Sequence, residues 1–161
     1  AESPGCVATR DLFDESGQHF VPIGRYSANP EFQQVGRAIY PTDKGCISQA
    51  WQHDWFFAND FPDPHQDWEG YLESHQRFGV AKTVVNGMTM KSRLFCGYKI
   101  LSRDDQRPLA VVIVESTTPD RFDEDYLKEV FLDGERRFLS DLVAGVKTHI
   151  AVPSDVEKLG F

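Results

Sequence analysis

Cysteine is scarce in this chain, and what there is of it is badly placed for shared chemistry. Cys6, Cys46 and Cys96 are odd in number and far apart, and no C-x-x-C pair occurs. That spacing excludes a disulfide framework and a thiolate metal site as organising features. It fits three reduced, partly buried thiols and, with them, a cytoplasmic location. Long apolar runs are lacking too. None approaches the ~20 residues that span a bilayer, and no secretory leader pattern opens the sequence, so no membrane contact by this domain is expected. Positive charge is in deficit, with 17 Lys and Arg against 25 Asp and Glu and a formal net charge of -8. An acidic surface repels phosphate backbones, which excludes nucleic acid as the main partner; a local basic pocket for a small anion stays compatible with it. There is no Gly-rich phosphate loop, no Gly-x-Ser-x-Gly elbow, no EF-hand spacing and no zinc pattern. Repeats and low-complexity tracts are missing as well.

What is present is an ordinary globular composition, 40% hydrophobic and 26% charged over 161 residues. This length is read as one domain over residues 1–150 with a C-terminal tail at 151–161. Ala1 is not a natural start, so the chain is expected to be a processed or excised piece, with attached domains outside it. The stretch that organises the chain runs from Lys91 to Thr117. Leu94, Cys96, Tyr98 and Ile100 alternate on one face of a strand. Ser102 to Pro108 supplies a polar turn. Leu109 to Val114 is an unbroken, β-branched apolar run, which predicts a strand covered on both faces.

The remaining elements are what cover this hairpin. Residues 6–13 and 18–26 read as an earlier hairpin around the turn Asp14 to Gln18, with Pro22 at a sheet edge or bulge. A short helical turn is expected over Pro30 to Val35. Thr42 or Asp43 is placed to cap a helix from Gly45, whose Ile47, Ala50 and Trp51 share a face. Trp55 to Ala58 reads as a short strand, and Pro62 and Pro64 force the next stretch into a loop. Asp67 caps the next helix, on which Trp68, Tyr71, Leu72, His75 and Phe78 form one apolar stripe ending near Gly79. Val80 to Met90 fits either a short helix or a strand. Asp123 caps a terminal helix over 123–146, with Leu127, Phe131, Gly134, Phe138, Leu142 and Gly145 on one face for almost seven turns. Strands that are mostly antiparallel, covered by helices, make an α+β domain.

The order of three motifs resembles the GAF domain, a small-molecule-sensing fold related to PAS domains. Lys44 to Trp51 (KGCISQAW) is similar to the family's Gly-Val-Ile-Gly-x-Ala helix start. Pro108 to Thr117 (PLAVVIVEST) is similar to its Ile-Gly-Val-Leu strand, and Phe122 to Val130 (FDEDYLKEV) to the opening of its last helix. The resemblance spans Cys6 to about Val146. It implies a central antiparallel sheet of about six strands with helices packed on one side. It also implies a ligand pocket on the other side and a terminal helix that pairs with a second copy. The expected role is a non-enzymatic sensory or regulatory domain that binds an unidentified small molecule or a partner domain. It would relay that state to an attached effector outside this chain. The alternatives are a structural protein-interaction or dimerisation domain, and a thiol-redox enzyme of the free methionine sulfoxide reductase type.

Several ligand chemistries of this family lack their residues here. The Asn-Lys-x-x-x-Phe…Asp-Glu signature of cyclic-nucleotide binders is missing, and no Cys-His pair offers a bilin attachment. Haem would need an axial His, for which His75 and His149 are the formal candidates. Asp60, Asp63, His65 and Asp67 form a turn-rich loop rather than a patterned cation site. Cys46 stands one residue from the position expected in the reductase branch, and Cys96 lies within a strand. The cofactor is left unknown. The candidate pocket is walled by Trp51, Phe56, Phe57, Trp68, Tyr71, Met88 and Tyr98, and Lys91 and Arg93 are its candidate anion-binding pair. The competing reading makes these aromatics core and both cations solvated.

Overall fold

The computed structural model describes residues 4–10, 19–33, 39–134 and 136–147. The expected turn at 14–18, the end of the first strand at 11–13, Val35, His149 and the 151–161 tail lie outside them, as does the side chain of Cys6. The strands are β1 (Pro4–Arg10), β2 (His19–Ser27), β3 (Tyr40–Pro41), β4 (Trp55–Ala58), β5 (Leu94–Leu101) and β6 (Pro108–Ser116). They form one sheet in the order β3-β2-β1-β6-β5-β4, with every pair antiparallel. The helices are α1 (Gly45–His53), α2 (Trp68–Gln76), α3 (Lys82–Asn86), α4 (Glu124–Lys128) and α5 (Arg136–Lys147).

The β5–β6 hairpin lies inside the sheet, flanked by β4 and β1. Val111 to Val114 are all buried, as an apolar run without alternation requires. Cys96, Tyr98, Ile100, Val112 and Val114 pack on one face against Leu127 of α4 and Val143 of α5. On the opposite face Val111 and Ile113 pack against Ala50 of α1 and Phe20. Phe95, on that same face, packs against Tyr71 of α2 and Val85 of α3. Helices therefore cover both sides of the sheet, which corrects the expectation of helices on one side. The reason is in the hairpin itself, whose successive residues are apolar on both faces and so need two covers. α1 approaches closely because Gly97 has no side chain: a Cβ there would fall against Ala50 Cβ and 3.0 Å from Ile113 Cδ1.

Pro22 sits where the β1–β2 register slips, between Val7↔Gly24 and Ala8↔Pro22. This is the bulge that a residue without a ladder donor calls for. Asp67 caps α2 as expected, accepting from the Gly70 N–H at 2.9 Å. Asp123 caps α4, accepting from Asp125 and Tyr126. The cap expected from Thr42 or Asp43 is corrected: Lys44 occupies that place without a side-chain bond. Instead, Gly45 takes a φ of 76°, a conformation open to glycine. Its N–H donates to the Phe78 carbonyl at 2.8 Å, joining the start of α1 to the end of α2.

The terminal helix is broken by a π-helical turn over Glu129–Gly134. A π turn holds one residue more than an α turn and rotates everything beyond it. Leu127 and Phe131 face the sheet as expected, but beyond the turn the inward residues among the described side chains are Leu139 and Val143; the side chain of Phe138 lies outside the described ones. Leu142, expected inward, is exposed. The single-face expectation for 123–146 is thus corrected by a one-position shift.

Candidate functional site

A cavity of about 750 Å³ opens on the α1 face of the sheet, a size that holds a metabolite-sized molecule. Phe95, Ile113 and Glu115 form its floor on β5 and β6. The start of α1 supplies Lys44 to Ile47, the end of α2 supplies His75 and Gly79, and α3 with its flanks supplies Val80, Val84, Met88 and Met90. Arg25, Glu31, Phe32 and Tyr40 also line it, from the β2–β3 side. The walls are mainly apolar, with a few directed polar groups.

Glu115 is half-buried, and the Ser92 hydroxyl donates to its Oε2 at 2.7 Å. Ser92 is held in turn by Tyr71, whose hydroxyl donates to the Ser92 carbonyl at 3.0 Å. The charge on Glu115 is felt nearby. Burial first, and this carboxylate second, push up both the Cys46 thiol and the Tyr71 phenol. His75 is only 2% exposed. Its ring lies 4.9 Å from Phe61, 4.8 Å from Tyr71 and 5.8 Å from Phe95. Its Nε2 has no hydrogen-bond partner among the described residues. Burial, and then the charges of Lys91 and Arg77, lower its pKa to about 4, so the imidazole is neutral at pH 7.

The structure separates most of the residues expected to form one pocket. Met88 lines the cavity. Tyr71 and Phe56 belong to the core cluster beside it, where Phe56 meets the Phe78 ring at 5.3 Å. Trp68 stacks on Tyr71 at 5.8 Å. Trp51 packs edge-on against Phe20 at 5.2 Å. Phe57 and Tyr98 lie on the opposite face of the sheet, where Tyr98 stacks on Phe131 at 6.2 Å. The reason is strand parity: Phe56 and Phe57 are neighbours on β4 and cannot share a face. Tyr98 also differs by one in parity from Phe95 and Gly97, which face α1.

Lys91 and Arg93, the expected anion-binding pair, each have partners within the protein. Lys91 Nζ donates to the carbonyls of Val85 and Met88, each at 2.7 Å, closing the C-terminal end of α3. It also stands 5.6 Å from the Trp68 ring. Arg93 Nε donates to the Phe61 carbonyl at 3.2 Å, and its guanidinium lies 3.7 Å from Asp63. Sequence reasoning missed Phe61, the hub of the aromatic cluster, because it sits in a loop just before Pro62 and Pro64, without periodicity. It also missed Glu115 and Arg25, which are isolated charges on strands with no local pattern around them.

The acidic loop has structural partners. Asp60 takes a two-pronged bond from Arg77 at 2.8 and 2.6 Å, which lowers its pKa. Asp63 accepts from the His65 N–H, and Asp67 is the α2 cap. Cys46 and Cys96 are both buried and fall in core clusters on opposite faces of the sheet. Burial raises the Cys96 thiol to about 12. A thiolate nucleophile needs the opposite shift.

No family model matches the chain, and comparison with curated proteins gives no match. Among solved structures, the crystal structure of the GAF domain from Acinetobacter phosphoenolpyruvate-protein phosphotransferase is similar, with a TM-score of 0.59 and 18% identity. The match covers 92% of this chain and 75% of that one. The fold is GAF-like, as the order of the three sequence motifs implied. Among the described residues, no helix is long and apolar enough to cross a membrane.

Proposed function

We propose that this chain is a non-enzymatic sensory or regulatory domain of the GAF type. It takes a small molecule into the cavity between α1, α3 and the β5–β6 hairpin. It passes the bound state to an effector outside this chain through its terminal helix. The observation that carries this reading is the cavity of about 750 Å³, backed by a single layer of strand. Phe95, Ile113 and Glu115 face the cavity. Cys96, Val112 and Val114, their immediate neighbours, face α4 and α5. A molecule that shifts the floor by a fraction of an ångström shifts the bed of the terminal helix with it, because packed cores move between discrete arrangements. Native mass spectrometry of protein purified from its own cells tests the reading. A retained mass of metabolite size supports it. A bare polypeptide whose thermal midpoint is unmoved by a broad metabolite panel overturns it.

A second reading, a protein-interaction domain pairing with a second copy, is favoured by one feature. Tyr126, Leu132 and Leu142 on the terminal helical segment are 56%, 37% and 48% exposed. A dilution series in sedimentation velocity separates the two: a dimer lost in a Leu132→Glu/Leu142→Glu variant supports it, and a monomer throughout removes it.

A further inference from the structure

We infer that the cavity selects an elongated zwitterion, with a protonated amine held at Glu115, an acid group held at Arg25, and an apolar chain between them. This rests on the small-molecule reading above and adds the chemistry of the molecule. Glu115 is a carboxylate on the floor of a mainly apolar cavity. A neutral hydroxyl, Ser92, donates to it, and no cation pairs with it among the described residues. A half-buried anion without a cation is unfavourable, and an incoming ammonium group relieves it. One carboxylate and one hydroxyl are too few oxygens for a hard metal ion, so the partner is an organic cation.

The opposite charge lies at the other end. Arg25 pairs in register with Cys6, and Cys6 with Ile113. Arg25 and Ile113 therefore share a sheet face two strands apart, and Glu115 is two residues further along β6 on that face. Strand spacing of about 4.8 Å and a rise of about 3.4 Å per residue put the Arg25 and Glu115 Cα atoms roughly 12 Å apart. Arg25 makes no ion pair or side-chain hydrogen bond among the described residues. Lys44 lines the same cavity from the start of α1, beside Gly79. Glu31 is the opposing charge on this rim. On the floor Ile113 lies between the two ends, in register with Arg25 across β1 and two residues from Glu115, and the apolar side chains of Val84 and Met88 line the same cavity, suited to methylenes.

The test uses 6-aminohexanoate, with hexanoate and hexylamine as singly charged controls. Each is titrated into the ¹⁵N-labelled chain while amide shifts of Phe95, Ile113 and Glu115 are followed. The zwitterion is expected to bind at least tenfold more tightly than either control. Glu115→Gln should abolish its advantage over hexanoate, and Arg25→Gln its advantage over hexylamine, with both variants keeping the parent spectrum elsewhere. Equal binding of the three probes, no binding of any, or variants without effect overturns the inference. A neutral or singly charged molecule retained in the cavity on purification overturns this inference and leaves the small-molecule reading standing. A bare cavity indifferent to every metabolite overturns both.

Discussion

Acid should weaken this fold through one side chain, His75. The imidazole is 2% exposed, ringed by Phe61, Tyr71 and Phe95, and near the charges of Lys91 and Arg77. Its pKa falls from 6.5 to about 4, chiefly because burial disfavours the charged ring. In the unfolded chain the same ring titrates at its ordinary value, so below pH 6.5 the unfolded state binds a proton that the folded state refuses. Stability is therefore intact above that pH and is lost as pH falls towards 4. Each pH unit in the window is worth ~1.4 kcal/mol. The loss is about 2 kcal/mol at pH 5 and about 3 kcal/mol at pH 4, a large share of a typical folding free energy. Urea unfolding at pH 7, 6 and 5 of the parent and of His75→Phe measures it. Phe fits an aromatic cage without a titrating nitrogen, and the carboxylates of the two proteins cancel in the comparison. The variant should gain about 2 kcal/mol on the parent between pH 7 and pH 5. A difference that stays constant within about 0.5 kcal/mol, the spread expected of unrelated effects, would mean that His75 is not held neutral, and the linkage to acid fails.

Gly97→Ala places a methyl against Ala50 Cβ and Ile113 Cδ1 and should cost about 2 kcal/mol or more. Ala50→Gly in the same chain should recover part of that loss, read as a coupling energy of about 1 kcal/mol from denaturation of the double-mutant cycle. Asp67→Ala removes the acceptor for the Gly70 N–H and should lower stability by about 1 kcal/mol, with earlier amide exchange in the first turn of α2. In a Cys6→Ser background, iodoacetamide at pH 7.5 should label Cys46 and Cys96 at least about a hundredfold more slowly than in urea, because burial suppresses both thiolates. Rapid labelling of either thiol in the folded protein would revive thiol chemistry.

Most of the sheet and the helices were legible because those elements carry their own pattern; the two-residue β3 and the one-turn α3 are too short to show one. Alternation at Leu94, Cys96, Tyr98 and Ile100 marks β5, the unbroken run at Leu109 to Val114 marks an interior strand, and Asp67 and Asp123 announce the helices they cap. What the sequence hides is what depends on contacts distant in the chain. Gly45 begins α1 by bonding to Phe78, so the local search for a capping Thr42 or Asp43 looks for a device this helix does without. The π turn at Glu129–Gly134 leaves no periodic trace, and one added residue exchanges Leu142 for Val143 on the inner face. The pocket was least legible. Aromatics were gathered by type, but parity on β4 and β5 sends Phe57 and Tyr98 to the terminal-helix side, and the cavity uses Phe95 and Ile113. Lys91 and Arg93 looked available for an anion because a main-chain carbonyl leaves no pattern in the sequence; the carbonyls of Val85, Met88 and Phe61 are what accept from them.

A sensory role requires that a molecule bound between α1, α3 and the hairpin be felt at the terminal helix. Amide shift mapping of the ¹⁵N-labelled protein on addition of a small-molecule extract of its own cells measures this directly. The expected result is a set of shifts at Val84, Met88, Phe95 and Ile113, accompanied by shifts at Leu127 and Val143 across the sheet, and lost together when Val84→Trp fills the cavity. Shifts confined to the outer surface, or none at all, would contradict it.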